Sequence, residues 1–399
     1  MELTGLKKKE SRLVWSLIIA TIALGVIGVA FIYSATVSNE STGSLPFYKQ
    51  RYFMQIVWYI FGAIAGGAIC IVSYHSIARW SYLFYWIIIA MLALVLIAGA
   101  TRYGAKRWFD LGFFQIQPSE FAKLAFIVAL ANYLSRPIEE LKRPKILWGA
   151  IGMAVLPFLL IIKEPDLGSA IVFLPVCLAM LYVAEAPTGF LRTLIICVVA
   201  IVGLFLVDIL FAPPNWQIKL QDYQRRRLLV YFGKDYAPAD ATPAERKRLQ
   251  LQQLNDSYNI RQALISVGSG GILGKGWCQG TQTALGYLPR AVAHNDFIFS
   301  VIAEESGFVG SIVVVALYGV ILFSGITVAS SAGDRLGKLI AVGVVVLIFS
   351  HIFINIGMNI RFVPVTGVPL PLISYGGSSV ICFMVAIGLL ENVYIHRRN

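Results

Sequence analysis

The chain has 399 residues, of which 58% are hydrophobic and only 14% charged, with a mean hydropathy of +0.74. That composition excludes a soluble globular domain and points to an integral membrane protein. The formal charge of +12 does not make it a nucleic-acid binder: Lys and Arg are spread over loops on both sides of the apolar segments, where anionic head groups and a phosphate-bearing substrate are the fitting partners.

Apolar runs of about 18 residues or more can cross a hydrocarbon core of roughly 30 Å as helix. In chain order the candidate spans are Leu13–Ala35, Phe53–Val72, Tyr82–Ala100, Ser119–Leu134, Leu147–Ile162, Leu167–Val183, Phe190–Phe211, Gly307–Ala329, Leu336–Met358 and Ser379–Ile395. The first follows Lys7, Lys8 and Lys9, but it is too long for a signal peptide and has no clear small-x-small cleavage site, so it reads as a retained span. An even number of spans puts both termini on one side. Lys7–Lys9, Arg12, Arg79, Arg136, Lys142, Arg143, Lys145, Arg192, Arg335, Lys338, Arg397 and Arg398 gather on that side, which makes it cytoplasmic. The expected fold is an all-α polytopic membrane protein of about ten transmembrane helices, one membrane domain over 1–399 with a large extracytoplasmic loop over 212–296. Of five cysteines, Cys70, Cys177, Cys197 and Cys382 lie in apolar runs and behave as small hydrophobes; with Cys278 they form no disulfide framework.

The chemistry-bearing residues follow in chain order. Arg102, Lys106 and Arg107 flank Trp108 in a short outward loop, as interfacial anchors or as a clamp on phosphate oxygens. Glu120 and Lys123 stand three apart on one face of the fourth span, and Asp166 sits where Pro165 and Gly168 break the apolar run. A Lys123–Asp166 ion pair across two helices would neutralise both, as structural glue or as a polar wall beside a substrate. In the long loop, Trp216–Phe232 has the mixed apolar and Arg pattern of a helix in the head-group layer. Thr242-Pro243-Ala244-Glu245 has the form of a capping box that starts a helix, and a second helical stretch follows from Ser257 to Gly268.

Gly268–Gly276, with Lys275, fails as a nucleotide loop: a P-loop needs Gly at Ser269 and Ser or Thr at Gly276, and the dinucleotide fingerprint needs Gly at Leu273. It is a flexible turn, or its amides cradle a pyrophosphate. Asp296 follows His294 and precedes Phe297-Ile298-Phe299, so desolvation would raise its pKa toward a value useful to a general base; the alternative is an N-cap for the following helix. Glu304 and Glu305 follow, one of which could face the same cavity. His351 reads as an interhelical hydrogen bond. Pro364–Ser378, containing Ser374 and Tyr375, is too rich in Pro and Gly for helix, and irregular backbone at membrane depth persists only where it is buried in protein or lines a cavity. No metal-site spacing and no Ser-His-Asp set is evident.

Taken together and in order, these segments resemble the SEDS family (shape, elongation, division and sporulation) of polytopic bacterial peptidoglycan glycosyltransferases. The resemblance covers nearly the whole chain and rests on Gly104–Gly112, Gln117–Lys123, Glu164–Gly168, Asp222–Arg227, His294–Phe299 and Pro364–Ser378. Gly274–Gln282 is similar to the elongation branch. The resemblance implies polymerisation of lipid II, the undecaprenyl-pyrophosphate-linked disaccharide pentapeptide, into β-1,4 glycan strands. It implies Asp296 as the catalytic acid residue, Lys123 and Asp166 as the buried pair, and Arg107 as the Arg of the Gly-x-x-Arg-Trp motif. Lys106, Glu120, His294, Lys275, Ser374 and Tyr375 are supporting candidates. Two departures stand out: Gly286 replaces an acidic residue, and residues are inserted between Pro289 and His294. Arg361 is a further unusual cation. The implied partners are lipid II and the growing strand, a class B penicillin-binding transpeptidase and other elongation-complex proteins, in the bacterial cytoplasmic membrane; no dedicated cofactor is implied, and a divalent cation is left open. A lipid II transporter and a non-catalytic scaffold are the alternatives.

Overall fold

In the computed structural model of the chain, the described residues are 13–37, 46–102, 105–110, 112, 115–211, 222–234, 236, 242–288 and 293–398. Lys7–Lys9 and Arg12, Gly104, the start of the long loop with Trp216, and residues 289–292, which hold most of the insertion between Pro289 and His294, therefore lie outside them, as do the side chains of Arg102 and Tyr223.

Among the described residues, eight helices are long and apolar enough to cross a membrane. They are α1 (Trp15–Val37), α2 (Arg51–Ile71), α3 (Ser81–Ala98), α5 (Pro144–Lys163), α8 (Thr188–Phe211), α11 (Ile298–Ser331), α12 (Arg335–Asn359) and α13 (Gly377–Ile395). The other two expected spans are shorter. Helix α4 (Pro118–Leu134) has 17 residues, and the sixth run is divided into α6 (Leu167–Ile171) and α7 (Phe173–Val183). Among the described residues, eight of the ten expected spans therefore form helices of full spanning length and the other two form shorter helices.

Helices α12 and α13 make up the centre, and most of their length is covered by protein, whereas α8 lies almost wholly outside the bundle. Small residues bring α13 against α2: a Cβ on Gly388 would lie 2.8 Å from the Cα of Gly66, and one on Gly62 would meet Met384 at 2.8 Å. Close backbone approach of this kind is how apolar helices gain contact in a lipid solvent.

The loop between α3 and α4 folds as a small antiparallel sheet, which the sequence reading missed: β1 (Ala100–Arg102), β2 (Ala105–Asp110) and β3 (Gln115–Ile116). Arg102 pairs with Ala105 and Phe109 with Ile116. In the long loop, α9 (Asp222–Phe232) is followed by α10 (Pro243–Ser269). The capping box forms as expected, with the Glu245 amide donating to Thr242 Oγ1 at 3.4 Å and the Thr242 amide to Glu245 Oε2 at 3.1 Å. The expected second stretch is not a separate helix. No Gly or Pro interrupts 244–267, and the good helix formers there run on as one helix of 27 residues, about 40 Å long, so the short amphipathic helices expected of this loop are corrected to one short helix and one long one.

The irregular run before α13 is buried, as its composition demands, with Val368, Leu370, Leu372, Ile373 and Ser374 each at most 3% exposed. Its carbonyls are met from the surrounding helices. Asn355 Nδ2 donates to Val368 O at 2.7 Å, Gln55 Nε2 to Ser374 O at 3.1 Å, and the Tyr59 and Tyr318 hydroxyls to Leu372 O and Pro371 O. Backbone without helix thus survives here because side chains replace the missing ladder.

Helix α11 is broken at Gly307, where φ is +65°. A continuous helix would bond the 308 and 309 amides to the Glu304 and Glu305 carbonyls. Instead, Phe308 N donates to Gly271 O at 2.9 Å and Val309 N to Ile272 O at 3.1 Å, while Lys275 N and Gly276 N donate to Glu304 O and Glu305 O at 3.1 and 2.9 Å. The segment 270–276 is a strap that replaces all four partners. It can lie this close only through glycine: a Cβ at Gly270, Gly274 or Gly307 would overlap backbone of the opposing segment.

Candidate active site

Asp296 sits in the turn just ahead of α11, and its backbone is fixed by three neighbouring carbonyl contacts. Tyr375 N donates to His294 O at 3.0 Å and Ser374 Oγ to Asn295 O at 2.7 Å. Asn355 and Asn359, one turn apart on α12, both donate to Asp296 O at 3.1 Å. The helix N-cap is Phe297, without a side-chain cap, so the N-cap reading of Asp296 does not hold.

No described residue donates a hydrogen bond to the Asp296 carboxylate, whose Oδ2 lies where a Cβ on Gly367 would stand 3.4 Å away. Gly367 has φ +78° and carries the terminal run past this point. Burial pushes the Asp296 carboxyl up from 3.8 to about 6; Arg227 pulls it down, Asp166 raises it and Arg107 lowers it. A carboxylate so placed is half-titrated near neutral pH, which suits a general base.

The surrounding charges come from three elements. Arg107 is on β2, and its Nε donates to Glu164 O at 2.9 Å while another guanidinium nitrogen donates to Pro165 O. Strand alternation turns the adjacent Lys106 the other way, and its exposed ammonium donates to Ile97 O at 3.4 Å; Lys106 is therefore not part of the cluster. Arg227, on α9, donates to Val365 O at 3.3 Å. Asp166 caps α6, accepting from Ser169 N at 3.1 Å, and takes Gln117 Nε2 at 3.1 Å. A Cβ on Gly168 would meet Thr366 O at 2.8 Å, so this capped turn rests directly on the terminal run.

The expected Lys123–Asp166 pair is absent, because each group has a nearer partner. Lys123 Nζ lies 2.7 Å from Glu120 Oε1, one turn back on its own helix, and 3.0 Å from His351 Nε2. His351 Nδ1 is 3.3 Å from Pro369 O. The resulting chain of buried groups reaches from α4 through α12 to the terminal run, a support for the site from below. His351 thus makes the interhelical hydrogen bond expected of it, with Lys123 as partner.

His294 is buried, 5.6 Å from the Tyr375 ring centre to centre, with Nδ1 at 3.2 Å from Arg51. Ser374 and Tyr375 thus position the turn that carries Asp296. Lys275 does not reach the cluster: it pairs with Glu304 at 2.6 Å. In the glycine segment around it, the Lys275 and Gly276 amides donate to α11 carbonyls and the Gly274 amide to Gly270 O, so these three are not offered as a phosphate cradle.

Glu164 was passed over in the sequence. It is 1% exposed, and neither carboxylate oxygen finds a hydrogen-bond donor among the described residues. Burial, then Asp166, push its carboxyl up to about 9 against the pull of Arg107, so it stands neutral at physiological pH. Asn355 and Asn359 were also missed, although polar side chains four apart in an apolar span were a legible signal. Among the described residues, no group of three or more His, Cys, Asp or Glu is arranged to hold a metal ion.

Beside the cluster is a cavity of about 430 Å³ between α6, α7, α9, α12 and the terminal run, with Arg227 as the charged residue in an otherwise largely apolar wall including Leu167, Ile171, Phe349, Phe353 and Val365. An apolar groove with Arg227 in its wall can hold an amphiphile with an anionic head.

Comparison with known proteins gives consistent matches. A protein-family profile described as cell cycle protein, covering FtsW, RodA and SpoVE, matches residues 14–399. The chain is 36% identical over 344 residues to the peptidoglycan glycosyltransferase MrdB of Escherichia coli K12, covering 84% of this chain and 85% of that protein. It is 33% identical over 432 residues to the peptidoglycan glycosyltransferase RodA of Treponema pallidum, covering 94% and 96%. Stage V sporulation protein E of Bacillus subtilis is 35% identical over 391 residues, covering 96% and 97%. Among solved structures, a chain of a peptidoglycan synthase complex, described as coordinating polymerization and crosslinking, superposes with a TM-score of 0.74 at 27% identity, covering 97% and 99%. The rod shape determining protein RodA of Thermus thermophilus superposes with 0.65 at 25% identity, covering 97% and 98%.

Proposed function

The chain belongs to the FtsW, RodA and SpoVE family, and from that membership together with the site we propose that it is a peptidoglycan glycosyltransferase of the elongation branch, polymerising lipid II. It is a multi-pass membrane protein. We place it in the bacterial cytoplasmic membrane with both termini inside and the Asp296 cluster on the outer side. The observation that carries the reading is the Asp296 carboxylate, free of hydrogen bonds from the described residues and in the field of Arg227 and Arg107, the first of which also lines an apolar cavity.

In this reading Asp296 takes the proton from the acceptor sugar 4-hydroxyl. The oxygen attacks the anomeric carbon of the donor strand, the new glycosidic C–O bond forms with inversion, and the bond to phosphate oxygen breaks with its electron pair leaving on undecaprenyl pyrophosphate. Arg227 and Arg107 stabilise that leaving charge, Arg107 held in a fixed pose by the Glu164 and Pro165 carbonyls. The cavity wall takes the first part of the polyprenyl chain. Glu164, neutral, adds no repulsion to the pyrophosphate. A class B penicillin-binding transpeptidase is the partner that would crosslink the product, with other elongation-complex proteins around it.

Asp296→Asn keeps the shape and removes the base. With purified protein and labelled lipid II, the native chain should make glycan strands and the variant should lose roughly 10²–10⁴-fold in rate. Full polymerisation by a folded variant would discard the base. Movement of lipid II across vesicles without polymer from the native chain would favour a carrier.

A further inference from the structure

The mechanism leaves unused two buried carboxylates, Glu304 and Glu305, which are 0% and 3% exposed and stand on either side of the strap that spans the break in α11. Glu304 Oε1 collects three donors: Lys275 Nζ at 2.6 Å, Thr281 Oγ1 at 3.2 Å and Gln282 N at 2.9 Å. Lys275 also donates to Thr281 Oγ1 at 2.6 Å. Glu305 takes Cys278 N at 3.0 Å and the Ser34 hydroxyl of α1. Glu304 therefore holds the strap by its side chain through Lys275, Glu305 holds the turn just beyond it at Cys278, and their main-chain carbonyls take Lys275 N and Gly276 N.

The consequence runs along α11. Helices kink where the i to i−4 ladder is interrupted, and at Gly307 the ladder is replaced by strap amides. The piece before the break, Ile298–Ser306, is about two and a half turns long and begins two residues after Asp296, past the Phe297 N-cap. Its direction relative to the rest of α11 is set by what crosses the break. Lys275 is the element of this arrangement that carries net charge across it, since without it Glu304 is an unpaired charge in a fully buried position.

Resting on the polymerase reading above, we propose that Lys275 and Glu304 are a positioning pair: their ion pair pins the strap across the break in α11 and so sets where the Asp296 carboxylate stands between Arg107 and Arg227. The pair touches neither substrate nor reacting atoms.

The test uses the full-length protein in detergent or vesicles, comparing native with Lys275→Met, Glu304→Gln, the double variant and Lys275→Arg. Polymerisation of lipid II is expected to fall in kcat for Lys275→Met and Glu304→Gln by up to roughly 10²-fold, the scale of a small misplacement of a reacting group. The KM should stay within about twofold, as for a loss confined to the transition state, and the double variant should be no worse than the poorer single. Lys275→Arg should keep kcat near the native value. Amide hydrogen exchange supplies a readout independent of activity: loss of the pair should speed exchange at 270–282 and at 293–306 together, with α12 and α13 unchanged. Exchange rising in the strap alone, multiplicative single effects, or unchanged kcat in folded single variants would overturn the proposal. If the native chain makes no polymer, the polymerase reading fails and the paired exchange response decides the positioning claim by itself.

Discussion

Asp296 and the buried pair Glu304 and Glu305 lie within ten residues of each other, and they are built in opposite ways. At Glu304 and Glu305 the side chains are occupied: Glu304 Oε1 has three donors, and Glu305 has Ser34 and Cys278. At Asp296 the main chain is occupied, with its carbonyl held by Asn355 and Asn359, while the carboxylate takes no hydrogen bond from a described residue. A carboxylate gripped by several donors is held in place and serves structure, as Glu304 is through Oε1 although its Oε2 takes no donor among the described residues. A carboxylate fixed through its backbone and left open at its oxygens is prepared to accept a proton.

The sharpest way to break this contrast is to remove one group of each kind. Asp296→Asn should cost roughly 10²–10⁴-fold in polymerisation, whereas Ser34→Ala, which deletes one donor to Glu305, should cost about 1 kcal/mol of stability and leave the polymerisation rate close to native; denaturation curves and product gels measure both. A Ser34 variant as inactive as the Asp296 variant would erase the distinction. Next in size is Arg227→Gln, which should lower kcat by about 10²-fold if the arginine stabilises the leaving pyrophosphate, read from single-turnover rates with bound lipid II. Asn355→Leu leaves the carbonyls of Asp296 and Val368 short of a donor, so a stability loss of about 1–3 kcal/mol should accompany reduced activity, measured by thermal unfolding alongside turnover.

Much of this contrast was legible in the sequence, and the rest was hidden for definable reasons. Asp296 stood out because a polar stretch runs straight into an apolar helix. The terminal run had to be buried because Pro364, Pro369 and Pro371 exclude helix at membrane depth. The capping box at Thr242 marked a helix start correctly. Pairing was less legible: Lys123 was assigned to Asp166 across two helices, yet Glu120 is one turn away on the same helix and Asp166 is engaged by Ser169 and Gln117. The strap was unreadable because its glycines answer to the Glu304 and Glu305 carbonyls some thirty residues later, a contact that leaves no local pattern. Lys106 and Arg107 looked equivalent until the strand turned them to opposite faces.

The smallest effects expected are shifts in pH dependence, and they bear most directly on the central claim that Asp296 is a base tuned by its charged neighbours. Asp296 works deprotonated, so activity should fall as pH drops through its pKa of about 6. Arg227 lowers that pKa and Asp166 raises it; hence Arg227→Gln should move the acid limb to higher pH and Asp166→Asn to lower pH. The decisive measurement is the pH profile of kcat/KM for lipid II polymerisation by the native protein and these two variants. An acid limb near pH 6 that moves in opposite directions is the predicted result. A profile without an acid limb near 6, or one that both variants leave in place, would contradict Asp296 as the base.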